Sequence, residues 1–258
     1  MAEKHAEERY AHLIDLLSRQ PIASVDDIRN ATGVSTATIR RDLTLLESRG
    51  LIRRVRGGAS LVAASSDLDD TFELRRRRHA REKGAIAVLA ASVIEPRSSL
   101  FLNDGSTALA VAEELIARAQ PVWVATSGLN IGERLATVAG MEVVVIGGTL
   151  HGSSFGTSGP LATAALSQLS ADAALLGCDG LDFELGPRWN SLLDAEVAAV
   201  MGRQARRVIV LADGSKVGNV GRAGTLGWSD VDLVVTNKLD ATWREMLRDH
   251  NVEVLETE

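Results

Sequence analysis

The chain has 258 residues, of which 45% are hydrophobic and 24% charged, a balance that permits a packed core and excludes a disordered chain. No apolar run approaches the ~20 residues of a membrane span, and the charged start MAEKHAEERY is unlike a signal peptide, so a cytoplasmic protein with no membrane partner is expected. The net charge of -6 conceals a division: residues 1–60 carry +2, residues 61–83 carry +1 and the remainder carries -9, so a mildly basic N-terminal module precedes an acidic body.

The segment EERYAHLIDLLSRQ sets Tyr10, Leu13, Ile14, Leu16 and Leu17 on a broad helical stripe that ends before Pro21. Ser24 opens a second helix as its N-cap, with Asp27 in the place of the usual Glu or Gln of a capping box, and Gly33 marks the turn. Ser35 caps a third helix in which Ile39, Leu43 and Leu46 recur at helical spacing until Gly50. LIRRVRGGAS then reads as a short hairpin, a wing beside the third helix.

The stretch from Ser65 to Asp70 is small and acidic, and Arg75–Arg78 are four consecutive arginines that suit either DNA phosphates or a solvated helix face. Beyond Lys83, seven apolar runs begin at Ser99, Val122, Glu142, Ala173, Val208, Leu233 and Val252 and alternate with helical segments. That alternation predicts an α/β fold, a largely parallel sheet covered by helices. The expected organisation is a DNA-binding domain over 1–60, a linker over 61–83 and an effector-sensing α/β domain over 84–258.

With Ile39, Leu43 and Leu46 turned inward, the third helix presents Ala37, Arg41, Thr44 and Ser48 outward, flanked by Thr38 and Arg40. Small side chains allow close approach to a DNA major groove, and arginine pairs with guanine or holds phosphate. Ser35 and Thr36 stand at the helix N-terminus, where hydroxyls and N–H groups favour a phosphate, and Arg53, Arg54 and Arg56 arm the wing. An ordinary helical hairpin with surface arginines has the same periodicity.

In the body, the turns NDGST, TSGLN, GGTLHGSS, CDG and ADGSK follow successive strands, and ligands of open α/β sheets bind outside the carboxyl ends of the strands. Asp104, Gly105, Ser106 and Thr107 precede an apolar helix and suit a phosphate cradle; tight turns need glycine in any case. Lys216 offers a cation to an anionic ligand, Asp179 an acceptor for sugar hydroxyls, and Thr126, Ser127, His151 and Arg188 line the same mouth. The lone Cys178 has no disulfide partner, and the histidines lack metal-ligand spacing, so neither a metal nor another cofactor is expected.

The segment VDDIRNATGVSTATIRRDLTLLESRGLIRRVRGGA, above all VSTATIRRDL with the Arg-rich wing and GGA, resembles the winged helix-turn-helix of the DeoR family of bacterial regulators. The resemblance runs on across nearly the whole body, where NDGST stands for the family's DSGTT, TSG for TNS, CDG for its fourth turn and DGSK for DSSK. It implies a sensor related in fold to ribose-phosphate isomerases that answers to phosphorylated sugars. Two departures stand out: Asn103 where the family usually has Asp, and Asp104 where it has Ser, which adds a carboxylate beside the cradle.

The leading reading is a repressor of carbohydrate genes, acting on double-stranded operator DNA as a dimer or tetramer and released by a sugar phosphate. A sugar-phosphate isomerase with an appended DNA-binding domain is the alternative, since Asp104, Asp179 and Lys216 have acid/base chemistry. A dehydrogenase is excluded by the lack of a GxGxxG turn after the body's first strand.

Overall fold

The computed structural model describes residues 9, 10, 12, 13, 16, 17, 22–48, 52–55, 58–61 and 72–257. The chain divides into two compact units, Met1–Ala80 and Arg81–Glu258.

In the first unit, helical residues around Tyr10, Leu13 and Leu17 precede β1 (Ile22–Ser24), α1 (Val25–Thr32), α2 (Thr36–Ser48), β2 (Ile52–Val55), β3 (Gly58–Leu61) and α3 (Phe72–Arg77). The expected capping box is present: the Ser24 hydroxyl accepts from Asp27 N at 3.1 Å, and the Asp27 carboxylate accepts from Ser24 N at 2.9 Å. Gly33 ends α1 at φ 69°, a left-handed conformation that glycine adopts without a Cβ penalty. Ile28, Ile39, Leu43 and Leu46 interlock with Tyr10, Leu13, Leu17 and Ile52 in one core.

The wing is the outer part of a three-stranded antiparallel sheet, β1-β3-β2, in which Arg53 faces Ser60 and Arg54 faces Ala59. β1, which the sequence pattern did not suggest, supplies the third strand. A Cβ at Gly58 would lie 2.1 Å from the Ala23 carbonyl oxygen, so only glycine permits the approach of β3 to β1. The segment expected as a linker includes α3, and Leu74 belongs to this core; Ser65–Asp70 lie outside the described residues.

The second unit holds α4 (Ala80–Ser92, whose first residue falls in the first unit), β4 (Ser99–Leu102), α5 (Ser106–Ala117), β5 (Trp123–Thr126), α6 (Leu129–Ala136) and β6 (Glu142–Val145). There follow β7 (Thr149–His151), β8 (Gly156–Ser158), α7 (Pro160–Leu166), β9 (Ala171–Gly177), β10 (Gly180–Asp182), β11 (Gly186–Arg188), α8 (Leu192–Gln204) and β12 (Ala205–Leu211). A 3₁₀ turn at Trp228–Asp230, β13 (Leu233–Thr236), α9 (Ala241–Asp249) and β14 (Glu253–Glu256) complete the unit. The seven expected strands form one sheet, ordered β14-β13-β12-β9-β4-β5-β6, with every pairing parallel.

The chain winds outward from β4 through β5 to β6, and from β9 through β12 and β13 to β14 on the other side. The winding direction therefore reverses between β4 and β9, and the crevice at their carboxyl ends is the ligand position for such sheets. Two short antiparallel ribbons, β7–β8 and β10–β11, escaped the sequence reading. Phe101, Leu176, Val210, Val234 and Met201 are among the core residues.

Candidate functional site

On α2, Ile39, Leu43 and Leu46 are buried, whereas Ala37, Arg40, Arg41 and Thr44 are exposed and Thr36 and Thr38 are half-buried. The exposed Ser35 caps the helix, its hydroxyl accepting from Thr38 N at 3.3 Å and meeting the Thr38 hydroxyl at 2.9 Å. The Thr44 hydroxyl donates back to the Arg40 carbonyl at 2.8 Å. Both acids of this helix are engaged within the unit. Asp42 is buried against Arg9, and Glu47 accepts from Arg54 N at 3.0 Å, tying the helix to the wing. Among the described residues Arg40 and Arg41 have no ion-pair partner, so the exposed face carries unopposed positive charge. Arg54 is exposed on β2; of Arg53 only the backbone is described, and Arg56 lies outside the described residues. The pairing of Asp42 with Arg9 had no sequence signal beyond an acid amid the apolar positions of α2.

In the second unit the crevice is closed at its base by Asn103, whose side chain donates to the Gly177 carbonyl at 2.9 Å and accepts from Gly177 N at 2.8 Å. Trp189 Nε1 donates to the same carbonyl at 3.0 Å. Above Asn103 the chain turns through Asp104 and Gly105, the latter at φ 114°, into α5. No side chain caps that helix, and Ser106 and Thr107 are half-buried at its start.

Thr126 and Ser127 sit beside this turn, fully buried, with their hydroxyls committed to backbone: Thr126 accepts from Gly128 N at 3.0 Å and Ser127 from Asp104 N at 3.1 Å. The Asp104 carboxylate is directed at the β7–β8 ribbon, where a Cβ at Gly156 would lie 2.4 Å from its Oδ2. His151, in that ribbon, pairs through Nε2 with the Ser158 hydroxyl at 2.6 Å.

At the ends of β9 and β12 the structure gathers Cys178, Asp179, Asp213 and Lys216. Burial pushes the Cys178 thiol up to about 12, with Lys216 pulling it down and Asp179 and Asp213 pushing it further up. Asp179 Oδ2 accepts from Asn190 N at 2.8 Å, and its N–H donates to the Arg188 carbonyl at 2.9 Å. The Arg188 side chain runs past Gly221 and Gly224, where side chains would collide with it, and its Nε donates to the Gly221 carbonyl at 3.5 Å. Asp213 is 1% exposed; Oδ1 accepts from Ser215 N at 2.9 Å and from the Ser215 hydroxyl, while Oδ2 has no hydrogen-bond partner among the described residues. Asp213 was missed in the sequence, although ADGSK carries it three residues before Lys216.

Among the described residues no group of three His, Cys, Asp or Glu is placed to hold a metal ion, and no helix is long and apolar enough to cross a membrane. Of solved structures, ribose 5-phosphate isomerase A from Neisseria gonorrhoeae aligns over 55% of this chain and 54% of its own, at 17% identity and a TM-score of 0.40. Among curated relatives, the transcriptional repressor GlcR of Bacillus subtilis is 31% identical over 98% of this chain and 97% of its own. The regulator GolR of Listeria innocua is 29% identical over 96% of this chain and 97% of its own, and the glycerol-3-phosphate regulon repressor of Escherichia coli matches at 29% over the same shares. The DeoR-like helix-turn-helix domain matches residues 9–64 and the DeoR C terminal sensor domain matches residues 78–238. With both domains in their order along one chain, this protein belongs to the DeoR family of transcription regulators.

Proposed function

We propose that the protein is a cytoplasmic repressor of carbohydrate genes, binding double-stranded operator DNA as a dimer or tetramer and released by a phosphorylated sugar. The observation that carries the reading is the outward face of α2, where both acids are engaged and Arg40 and Arg41 are left unopposed among the described residues. In this reading Ala37, Thr38, Arg40, Arg41 and Thr44 enter the major groove, Ser35 and Thr36 meet a phosphate, and Arg53, Arg54 and Arg56 follow the backbone. GlcR and the glycerol-3-phosphate regulon repressor bear names that point to repression, which supports the sign proposed here.

The effector enters the crevice between β4 and β9. Gly105, Ser106 and Thr107 offer N–H groups and hydroxyls to a phosphate, Lys216 supplies the cation, and Asp179 and Asp213 accept from sugar hydroxyls. Arg188 and His151 border the mouth, and Thr126 and Ser127 support it. Binding without catalysis is favoured because the family models and the names of the curated relatives are those of regulators.

The test is fluorescence anisotropy on a duplex selected by the protein from a random pool. Arg41→Ala is expected to weaken that duplex by roughly 1–3 kcal/mol relative to a scrambled one, and Arg54→Ala to weaken both alike. Pentose and hexose phosphates are then titrated into the complexes of wild type and Lys216→Ala, with a parallel assay for isomerised product. Release of wild type alone, without product, fits the reading; equal release of both removes Lys216 from the site.

A further inference from the structure

We propose that a cavity toward the amino ends of β4, β9 and β12, at the other end of the sheet from the effector crevice, binds a second small molecule: a zwitterion with an apolar side chain, as in an apolar α-amino acid. Its residues are separate from those proposed for the effector. The cavity holds about 390 Å³, within the range of ligand pockets. Leu100, Ala173 and Ile209, one from each strand, form a buried apolar floor, with Ile94 beside them. Ala173 is the register partner of both Leu100 and Arg207, so the floor and Arg207 share one face of the sheet. The polar lining residues Glu95, Arg97, Ser98, Asp172 and Arg207 are exposed or half-buried and stand at the rim.

The charges at the rim select the occupant. Asp172 is engaged: it accepts from Ser99 N at 2.9 Å and from the Ser99 hydroxyl at 2.7 Å, and it lies 3.6 Å from Arg206. Arg207 donates to Glu253 at 2.7 Å. The Glu95 carboxylate and the Arg97 guanidinium have no partner among the described residues, and two positions apart they make no ion pair with each other. One unengaged anion and one unengaged cation beside an apolar floor complement a zwitterion, whose carboxylate takes the Arg97 fork and whose ammonium meets Glu95. A plain anion would face Glu95 and a plain cation Arg97, and the apolar floor gives no partner to sugar hydroxyls.

The loop that carries both groups is pinned in place. Gln120 Nε2 donates to the Ile94 carbonyl at 2.7 Å, Ser98 donates its N–H at 3.2 Å and its hydroxyl to the Glu95 carbonyl, and Arg97 N donates to the Pro121 carbonyl at 2.6 Å. Arg97 sits at φ 68°, a left-handed conformation that is strained for an L residue and that glycine adopts without the Cβ penalty. An arginine kept where glycine fits better points to use of its side chain. β9 runs on from Asp172 to Gly177 at the effector crevice, so about 17 Å of strand separate the two sites and both can be filled at once.

The test is a ligand-observed NMR titration of L-leucine into the full-length protein, beside isocaproate, which lacks the ammonium, and isoamylamine, which lacks the carboxylate. Wild type is expected to bind leucine with a Kd of about 0.1–1 mM, ordinary for a ligand of this size, and each analogue at least about tenfold more weakly. Glu95→Gln should weaken leucine about tenfold and leave isocaproate bound no more weakly. Arg97→Gly should melt no lower than wild type, since it relieves the left-handed residue, yet lose leucine binding. Lys216→Ala should bind leucine as wild type does, which separates this cavity from the effector crevice. Circular dichroism checks folding, and Glu95→Gln, a surface change, carries the test if Arg97→Gly does not fold. The proposal would be overturned by no leucine binding at about 10 mM, by isocaproate bound as tightly as leucine, by folded Glu95→Gln and Arg97→Gly proteins that bind like wild type, or by binding lost in Lys216→Ala.

Discussion

Arg9 and Asp42 form a two-point ion pair across the first unit, Nε donating to Oδ2 at 2.5 Å and Nη2 to Oδ1 at 3.1 Å. Asp42 follows Arg41 directly, so the bond that draws Asp42 inward also fixes the outward direction of Arg41. The hydrogen bond to Asp42 holds the Arg9 guanidinium above its ordinary value, and the stability that this confers would be lost only as pH rose through that higher value. The pair is therefore a fixed strut across the neutral range. Asp42→Ala is expected to cost about 1–3 kcal/mol, below the range for a fully buried pair because the Arg9 side chain is 21% exposed. All four tryptophans lie in the second unit, so tryptophan emission should keep its wild-type melt while circular dichroism reports an earlier loss of helix.

Gly58→Ala should be more damaging than its size suggests. The added methyl meets the Ala23 carbonyl oxygen at 2.1 Å, and a backbone atom held in a sheet cannot move aside. The expected outcome is separation of β3 from β1 with a loss of about 1–3 kcal/mol and weakened DNA binding. Thermal melting with anisotropy checks both, and an unchanged melt would place β1 elsewhere.

Cys178 should be slow to alkylate. With the thiol at about 12, the reactive thiolate at pH 8 is rarer than in a free cysteine by roughly three orders of magnitude. Lys216→Ala removes the one cation that lowers it, so iodoacetamide labelling followed by mass spectrometry should be slower still in that variant. Faster labelling would show that Lys216 does not act on this thiol.

Asp172 sets an acid limit on the second unit. Its Oδ2 accepts from Ser99 N at 2.9 Å and from the Ser99 hydroxyl at 2.7 Å, and chiefly the backbone bond holds the carboxyl below its ordinary value. A carboxyl depressed in the fold contributes stability above its unfolded value, and that contribution is lost as pH falls through the folded one. Melts followed by tryptophan emission should therefore drop below about pH 4, and Asp172→Asn should make the drop shallower.

The strands of the large sheet were legible as apolar runs closed by turns, a signature that burial on both faces leaves in the central strands β4, β9 and β13, whereas the edge strands β6 and β14 are only partly buried. The outward face of α2 was legible for the same reason, through three apolar positions at helical spacing. The ribbons β7–β8 and β10–β11 were not, since TLH, GTS, GLD and GPR are too short and too polar to show a period. Thr126 and Ser127 illustrate a different limit. A Thr-Ser-Gly turn reads as a ligand-facing hydroxyl pair, and only the fold reveals that both hydroxyls are taken by neighbouring N–H groups. Asp42 and Arg9 stand 33 residues apart, a distance over which periodicity carries no information.

The reciprocal bond between Asn103 and Gly177 explains the two departures at the first turn as one exchange. An amide can give to the Gly177 carbonyl and take from the Gly177 N–H at once, whereas the Asp usual in the family could only take. Asparagine thus lengthens the β4–β9 ladder by a side-chain rung and removes a negative charge from the strand end. Asp104 restores that charge one residue later, where its carboxylate lies over Gly156 at the foot of the ribbon. The corner thus has an uncharged amide at its floor, bonded both ways to Gly177, and its carboxylate in the wall beside Gly156.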